Sequence, residues 1–547
     1  MLRAYAPLST QRPSSPVLRS LRTSPPGRRC GGVCVRAFKP SAPPPPTLPA
    51  VPAPSAPLNA KGHQAPLTSP ASAPDSSSQV EGAEKMDWFA AWWPVVPVHQ
   101  VDPKVPQAVD LLGLKLVVWA DSQGCWHTLQ DRCPHRLAPL SEGRVEGGNL
   151  MCSYHGWQFS PEGRCAAIPQ LEDPKALATA CASPRNCVQA YPTKVVHGLL
   201  WVWPQAGAAG AAAAAAQPLP RTALAPLLEA EADPEGSVFY QSTAWFMRDM
   251  PIRFDTLVEN VVDPSHVYFA HHGVPGVSRS GLINPRMTVQ AGGAITAQGG
   301  YMVTREAVQQ PPTPASEYGL LPPNLMSYRY PYSESHFYCI PTKPGWSRII
   351  TCIVGRKDAQ VPAPIALMSK LVARWPVLEH VAIRHPVLDG DLYMLHAGER
   401  ALIREGNDGS RAYYMPANAD AAVVAWRKWL SKFGGEVPTC TAADAALMPP
   451  LMPKEQVLDR YQQHTAQCRT CQSALRRLDT ARWLLGLIAP GLAIVLLARL
   501  AAGLTSLTQP AFLVGAVVAG LAAALKVGLE RVREQFYYQP YVHALRD

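Results

Sequence analysis

Residues 133–155 read CPHRLAPLSEGRVEGGNLMCSYH, a Cys-x-His and a Cys-x2-His with sixteen residues between them. Each short loop offers one thiolate and one imidazole. A structural zinc ion usually gathers a close Cys pair and a close His pair. One Cys and one His delivered twice suits a [2Fe–2S] centre instead, with two thiolates on one iron and two imidazoles on the other. Neutral imidazoles in place of thiolates remove negative charge and raise the potential into the range of about −150 to +300 mV. The flanking sequence supports a β scaffold for such loops. KLVVWA (115–120) and CWHTLQ (125–130) are strand-like runs joined by the turn residues DSQG. GWQFSPEGRCAAIP (156–169) repeats that pattern, and VVHGLLWVWP (195–204) closes an all-β module without a convincing helix over 87–204.

Beyond it the composition changes. GAAGAAAAAAQPLP (207–220) marks a low-complexity linker over 205–235. Residues 236–470 mix strand-like SVFYQSTAWFM and RIITCIVG with helical LMSKLVARWPVLEHVAIRH and AAVVAWRKWLSKF, the pattern of an α+β domain. Residues 471–547 hold two apolar runs, 483–500 and 504–525, each able to span or nearly span about 30 Å of hydrocarbon. Arg476, Arg477 and Arg482 precede the first, and Lys526, Arg531 and Arg533 follow the second. A transmembrane hairpin with both ends on one basic side fits the charge rule.

The second domain carries its own metal pattern. LVENVVDPSHVYFAHHG (257–273) contains Asp263, His266 and His271 as D-x2-H-x4-H, with His272 as an alternative second imidazole. Two imidazoles and a carboxylate on one face of Fe(II) leave positions open for dioxygen and a reacting group. Positions five apart diverge by about 140° on a regular helix, so the helix must end or bulge between His266 and His271.

CPHRLAPLSEGR with CSYHGWQF resembles the cluster signature of the Rieske non-haem iron oxygenases, and the 257–273 motif resembles their mononuclear iron site. The resemblance implies Cys133 and Cys152 on the inner cluster iron and His135 and His155 on the outer one, with ring edges near the surface. It implies a helix-grip-like iron domain, with His266 and His271 as iron ligands. A late carboxylate in VLDGDLYMLHAGE (387–399) completes them, Asp391 by best match and Asp389 as the alternative. Asp263 is then a bridge to a cluster histidine of a neighbouring subunit in a head-to-tail homotrimer, and Asn260 a polar residue near the iron. With Cys468-Arg-Thr-Cys471, the hairpin, DWFAAWWPV (87–95) and FYYQPYVHAL (536–545), the chain is similar to the plastid group containing pheophorbide a oxygenase and the translocon Rieske component. That implies a ferredoxin-dependent monooxygenase opening a chlorophyll-derived tetrapyrrole, pheophorbide a foremost, with a redox-sensing translocon component or a hydroxylase of a related tetrapyrrole as the alternatives. Cys468 and Cys471 can be a redox pair, half a zinc site or two plain thiols; the resemblance implies a thioredoxin-sensitive pair, and no second CxxC supports zinc.

Net charge is +10, but residues 1–74 hold nine Lys/Arg and no acid, which leaves +1 for the rest. A basic nucleic-acid groove is therefore excluded. Residues 1–37 read as a plastid transit peptide and 38–86 as a disordered Pro/Ala-rich linker. The expected location is a chloroplast membrane, catalytic domains facing the stroma. Trp88, Trp92, Trp93, Tyr328, Tyr330 and Tyr332 are candidates for a flat pocket, with core packing as the alternative.

Overall fold

A computed structural model describes residues 85–547, apart from 218, 220, 275–276, 278–285, 291–295, 298–299, 307–315, 331, 362 and 547. The transit and linker expectations for 1–84 lie outside these residues. The fold is α+β. Three small antiparallel sheets form its first part: Trp93–Pro97 with Leu199–Val202 and Thr193–Val196; Gln107–Leu111 through Trp126–Gln130 with Ala190–Tyr191; and Arg144–Glu146, Asn149–Met151, Gln158–Phe159 and Cys165–Ala167. The last sheet presents the cluster loops. This part also holds a helix, Pro174–Ala182, that the sequence pattern does not signal. Its start is set by Asp173, whose carboxylate accepts from the Lys175 and Ala176 N–H groups, with Pro174 at the first position. Cys181 on this helix is disulfide-bonded to Cys165.

The Ala-rich stretch expected as a linker is folded as two helices, Gly207–Ala216 and Arg221–Ala232. Alanine has the best helix propensity, and Gly210 and Ala214 are small enough to be buried. The Trp92 indole N–H donates to the carbonyl of Gln217 just past the first of them.

The second part is built on an eight-stranded antiparallel sheet running from Phe239–Gln241 through Trp346–Arg356, Ser333–Lys343, Leu325–Tyr330, Ser316–Leu321 and Tyr301–Glu306 to Arg286–Gln290. Phe246–Met250 pairs with the Trp346–Arg356 strand as well. The helix Phe254–Val262 packs on this sheet because its buried residues Phe254, Leu257, Val258, Val261 and Val262 recur at helical spacing on one stripe. Asn260 is left off that stripe. The two parts share one core: Trp88 packs edge-on against Phe254 with ring centroids 5.5 Å apart, and its indole N–H reaches the Gly434 carbonyl at 2.7 Å. Trp88, Trp92 and Trp93 are thus core residues rather than pocket walls.

The last two helices, Arg469–Ala501 and Pro510–Glu534, pack against each other. Both are long and apolar enough to cross a membrane, and their apolar faces are almost wholly uncovered. The first starts well before residue 483 because nothing between Cys468 and the apolar run breaks the helix. Asp479 joins Arg482 and Arg533 at the hairpin base, 3.0 and 2.7 Å away, and Glu530 also pairs with Arg482.

Candidate metal centres

The two cluster loops are built alike. The Cys133 N–H donates to Ala138 O, and Leu137 N–H returns to Cys133 O. The Cys152 N–H donates to Trp157 O, and Gly156 N–H returns to Cys152 O. In each loop the residue four after the cysteine is left-handed, Leu137 at φ 62° and Gly156 at φ 76°. Glycine suits the second position, where a Cβ would also sit 3.0 Å from Pro169. Asp131 accepts from the backbone and hydroxyl of Ser141 at 2.7 Å each and ties down the first loop. Gln170 donates to the His155 carbonyl at 2.8 Å and braces the second.

Cys133 and Cys152 are each 2% exposed in an apolar cluster with Trp119, Leu140, Leu150 and Phe159. Burial pushes the Cys133 thiol up to about 11, so a thiolate there needs a cationic partner, which a diiron centre would supply. His135 is exposed and His155 half-buried, their ring centroids 4.4 Å apart. Trp157 lies flat on His135, with centroids 4.5 Å apart and planes within 2°, and so orients that ring. Exposed Leu137 and Tyr154 complete a surface through which electrons can enter or leave.

The second centre forms where the helix Phe254–Val262 ends. Asp263 is its C-cap, and its Oδ1 accepts from the Ser265 N–H and hydroxyl at 2.7 and 2.6 Å. His266 and His271 are the N-cap and C-cap of the four-residue helix Val267–Ala270. The long helix breaks before His266, and the short one ends at His271. Their rings therefore converge, with centroids 5.2 Å apart, as the five-residue spacing demands.

Asp391 comes from the distant helix His385–Arg404. Its carboxylate oxygens lie 3.8 Å from His266 Nε2 and 3.5 Å from His271 Nε2, and the three residues are close enough to hold one ion. Asn260 lowers the Asp391 pKa against the effect of burial. His272 is half-buried and lies outside this group. Asp389 does different work: it is fully buried between Arg248 and Arg460, 2.7 Å from each.

The donor set fits ferrous iron. Burial lowers His271 to about 3, so its ring is neutral and offers a lone pair. Burial raises Asp391 to about 6, with His266 opposing the shift. Burial works against protonated His266, but the Asp391 and Asp263 carboxylates outweigh it and raise its pKa. The Nδ1 atoms of both histidines are buried without hydrogen bonds, and the Asp263 carboxylate stands 3.7 Å from that of His266.

Several contributors are not marked by the motifs. Ser265 holds Asp263, and the D-P-S-H run is its local signal. Gly390 lets the two ligand-bearing helices approach, since a Cβ there would lie 2.5 Å from Ala270 O and 3.1 Å from His271 Nδ1. Tyr541 and His543 in the FYYQPYVHAL tail contact Ala270 and Gly390 respectively. A small apolar recess is lined by Val262, Tyr318, Leu320, Met326, Tyr328 and Ala422. The expected redox pair is fully buried: Cys468 and Cys471 are 0% exposed and sit against His380 and His464.

Residues 91–192 match the Rieske [2Fe-2S] domain family, and residues 316–408, which include Asp391, match the pheophorbide a oxygenase family. The chain is 33% identical over 508 residues to chloroplastic pheophorbide a oxygenase of Oryza sativa subsp. japonica, covering 88% of this chain and 91% of that protein. It is 30% identical to protochlorophyllide-dependent translocon component 52 of Arabidopsis thaliana, covering 85% and 87%. It is 31% identical to flavonoid 8-hydroxylase 2 of Ocimum basilicum, covering 91% and 94%. The chain belongs to the Rieske non-haem iron oxygenases, enzymes with a [2Fe–2S] cluster and a mononuclear iron, in the group of pheophorbide a oxygenase and the translocon Rieske proteins.

Proposed function

We propose that this enzyme is a ferredoxin-dependent chloroplast monooxygenase that opens a chlorophyll-derived tetrapyrrole, pheophorbide a, and is anchored in a membrane by its C-terminal hairpin. The observation carrying the substrate is the match of residues 316–408 to the pheophorbide a oxygenase family, in the stretch that contains Tyr318 and Tyr328 of the recess and Asp391. The uncovered apolar helices support the anchor, and a substrate of this class partitions into membranes. The basic flanks of the hairpin favour the stromal side for both metal centres. We divide the chain at 87–204 for the cluster and 236–470 for the iron.

When bound, the cluster supplies single electrons and the mononuclear iron activates dioxygen. Cys133, Cys152, His135 and His155 hold the first, and His266, His271 and Asp391 the second. His135 and His155 present their imidazole edges to a ferredoxin or to a neighbouring subunit. Asp263, with one oxygen held by Ser265 and the other facing His266, bridges to the partner's cluster histidine in a head-to-tail trimer. Asn260 is a polar residue near the iron that favours the ionised Asp391 carboxylate.

The test is turnover with reduced ferredoxin and labelled dioxygen on pheophorbide a, protochlorophyllide and a flavone. Incorporation of label into ring-opened pheophorbide a is the expected result. Preference for the flavone or for hydroxylation of another tetrapyrrole overturns the substrate. Oxygen consumption unaffected by every substrate favours a redox-sensing translocon component instead.

A further inference from the structure

We infer that Cys468, Cys471, His380 and His464 form a third metal centre, a closed four-ligand zinc site that ties the apolar hairpin to the helix carrying Asp391. All four residues are 0% exposed, and one ligand atom from each lies within 4.8 Å of every other. His464 Nε2 is 3.2 Å from His380 Nδ1 and 3.3 Å from Cys471 Sγ. His380 Nδ1 is 3.2 Å from Cys471 Sγ and 4.0 Å from Cys468 Sγ. Tetrahedral zinc with its usual bond lengths puts N and S ligands about 3.6 Å apart and two N ligands about 3.3 Å apart. These atoms therefore already surround a point that one ion can occupy.

The ring orientations agree. His464 Nδ1 donates to the Met247 carbonyl, which fixes the proton there and leaves the Nε2 lone pair aimed at the other three ligands. Phe246 covers the site, stacked on His464 at 4.5 Å and edge-on to His380 at 5.0 Å, and Leu475 and Phe536 seal the sulfur side. Two imidazoles and two thiolates with no open position are the donor set of a structural rather than a catalytic zinc site. In sequence the ligands read His464-x3-Cys468-x2-Cys471, with His380 brought in from a distant π-turn, His380–Arg384. The absence of a second CxxC hides the site because its partners are histidines.

The ion joins three segments. His380 precedes the helix His385–Arg404 that holds Asp391. His464 follows Arg460, which pairs with Asp389. Cys468 and Cys471 begin the first apolar helix. The thiolates are bound as ligands in the resting protein, not poised as a surface dithiol for exchange.

The full chain, purified in detergent under reducing conditions, is expected to contain one zinc per chain besides the iron of its other centres. Cys468→Ser and His464→Gln are each expected to lower zinc from one to near zero while the paramagnetic signal of the reduced Rieske cluster persists. A measurement on the unaltered protein removes dependence on how those variants fold. Exchange of zinc for Co2+ is expected to give the visible spectrum of tetrahedral cobalt with thiolate-to-metal charge transfer. The proposal is overturned by unaltered protein that binds no zinc even when incubated with Zn2+. Zinc retained in both variants, or a Cys468–Cys471 disulfide as the resting form under reducing conditions, overturns it equally.

Discussion

The Tyr541 hydroxyl donates at 2.9 Å to the carbonyl of Ala270, the residue directly before His271. Tyr541 follows the second apolar helix, so the chain passes through the whole hairpin and returns to prop the iron site. His543 reinforces it by contacting the carbonyl of Gly390, next to Asp391, at 2.9 Å. Tyr541→Phe removes one hydrogen bond, a loss of about 1 kcal/mol, and is expected to raise the iron dissociation constant several-fold. Metal titration of iron-stripped protein measures it, and unchanged affinity refutes the propping role.

Gly390→Ala is expected to be harsher. Its methyl group would press on Ala270 O and His271 Nδ1 and push the two ligand-bearing helices apart. The variant is expected to retain the cluster spectrum and lose the mononuclear iron. Iron and sulfide analysis distinguishes the two centres.

Asp389 and Asp391 are separated by one residue and differ in their work. Asp389→Asn strands Arg248 and Arg460 without a buried counter-charge, a cost of about 3–5 kcal/mol. Asp391→Asn removes a proposed ligand and a burial-destabilised carboxylate, so turnover is expected to vanish with little loss of melting temperature. Thermal unfolding and turnover, measured on both variants, check the division; equal melting losses contradict it.

Asp263→Asn keeps size and leaves His266 in place. On the proposed bridging role, turnover is expected to fall by orders of magnitude while cluster and iron contents stay normal, because the variant weakens the electron route to a neighbouring subunit. Stopped-flow oxidation of the reduced cluster, slow in the variant and fast in the parent, is the direct readout.

Glu399 accepts from the Arg253 N–H and the Thr256 hydroxyl, 2.7 Å each, at the start of the helix that carries Asn260. Burial nevertheless raises its pKa to about 7, with Arg400 opposing. The folded state therefore holds a proton that the unfolded state loses near 4.5. Its contribution to stability is fullest below about 4.5 and is lost as pH rises through about 7. Denaturant unfolding across that interval is expected to show the decline, and Glu399→Gln is expected to flatten it.

The cluster type was legible where chemistry is local. The spacing around Cys133 and Cys152 pointed to the cluster, the flanking strand-like runs to its β setting, and the five-residue gap between His266 and His271 to the helix end that lies between them. Residues acting across long sequence separations carried no such mark. Gly390 is explained only by the Ala270 carbonyl it faces, and Tyr541 only by the return of the tail. Asp391 matched the pattern best with Asp389 as the alternative, and two buried arginines on Asp389 separate their roles. The alanine-rich stretch after Gly207 misled because low complexity usually signals a tether, whereas alanine's helix propensity and small size let it pack here.

The ion pair between Asp479 and Arg533 closes the neck of the hairpin, so the chain enters and leaves the apolar arm at nearly one place. A water-soluble version for crystallography should therefore excise the arm above that neck and splice the stumps with a short glycine-serine loop. Cutting the chain off before the arm would discard Tyr541 and His543, and with them part of the iron site's own scaffolding.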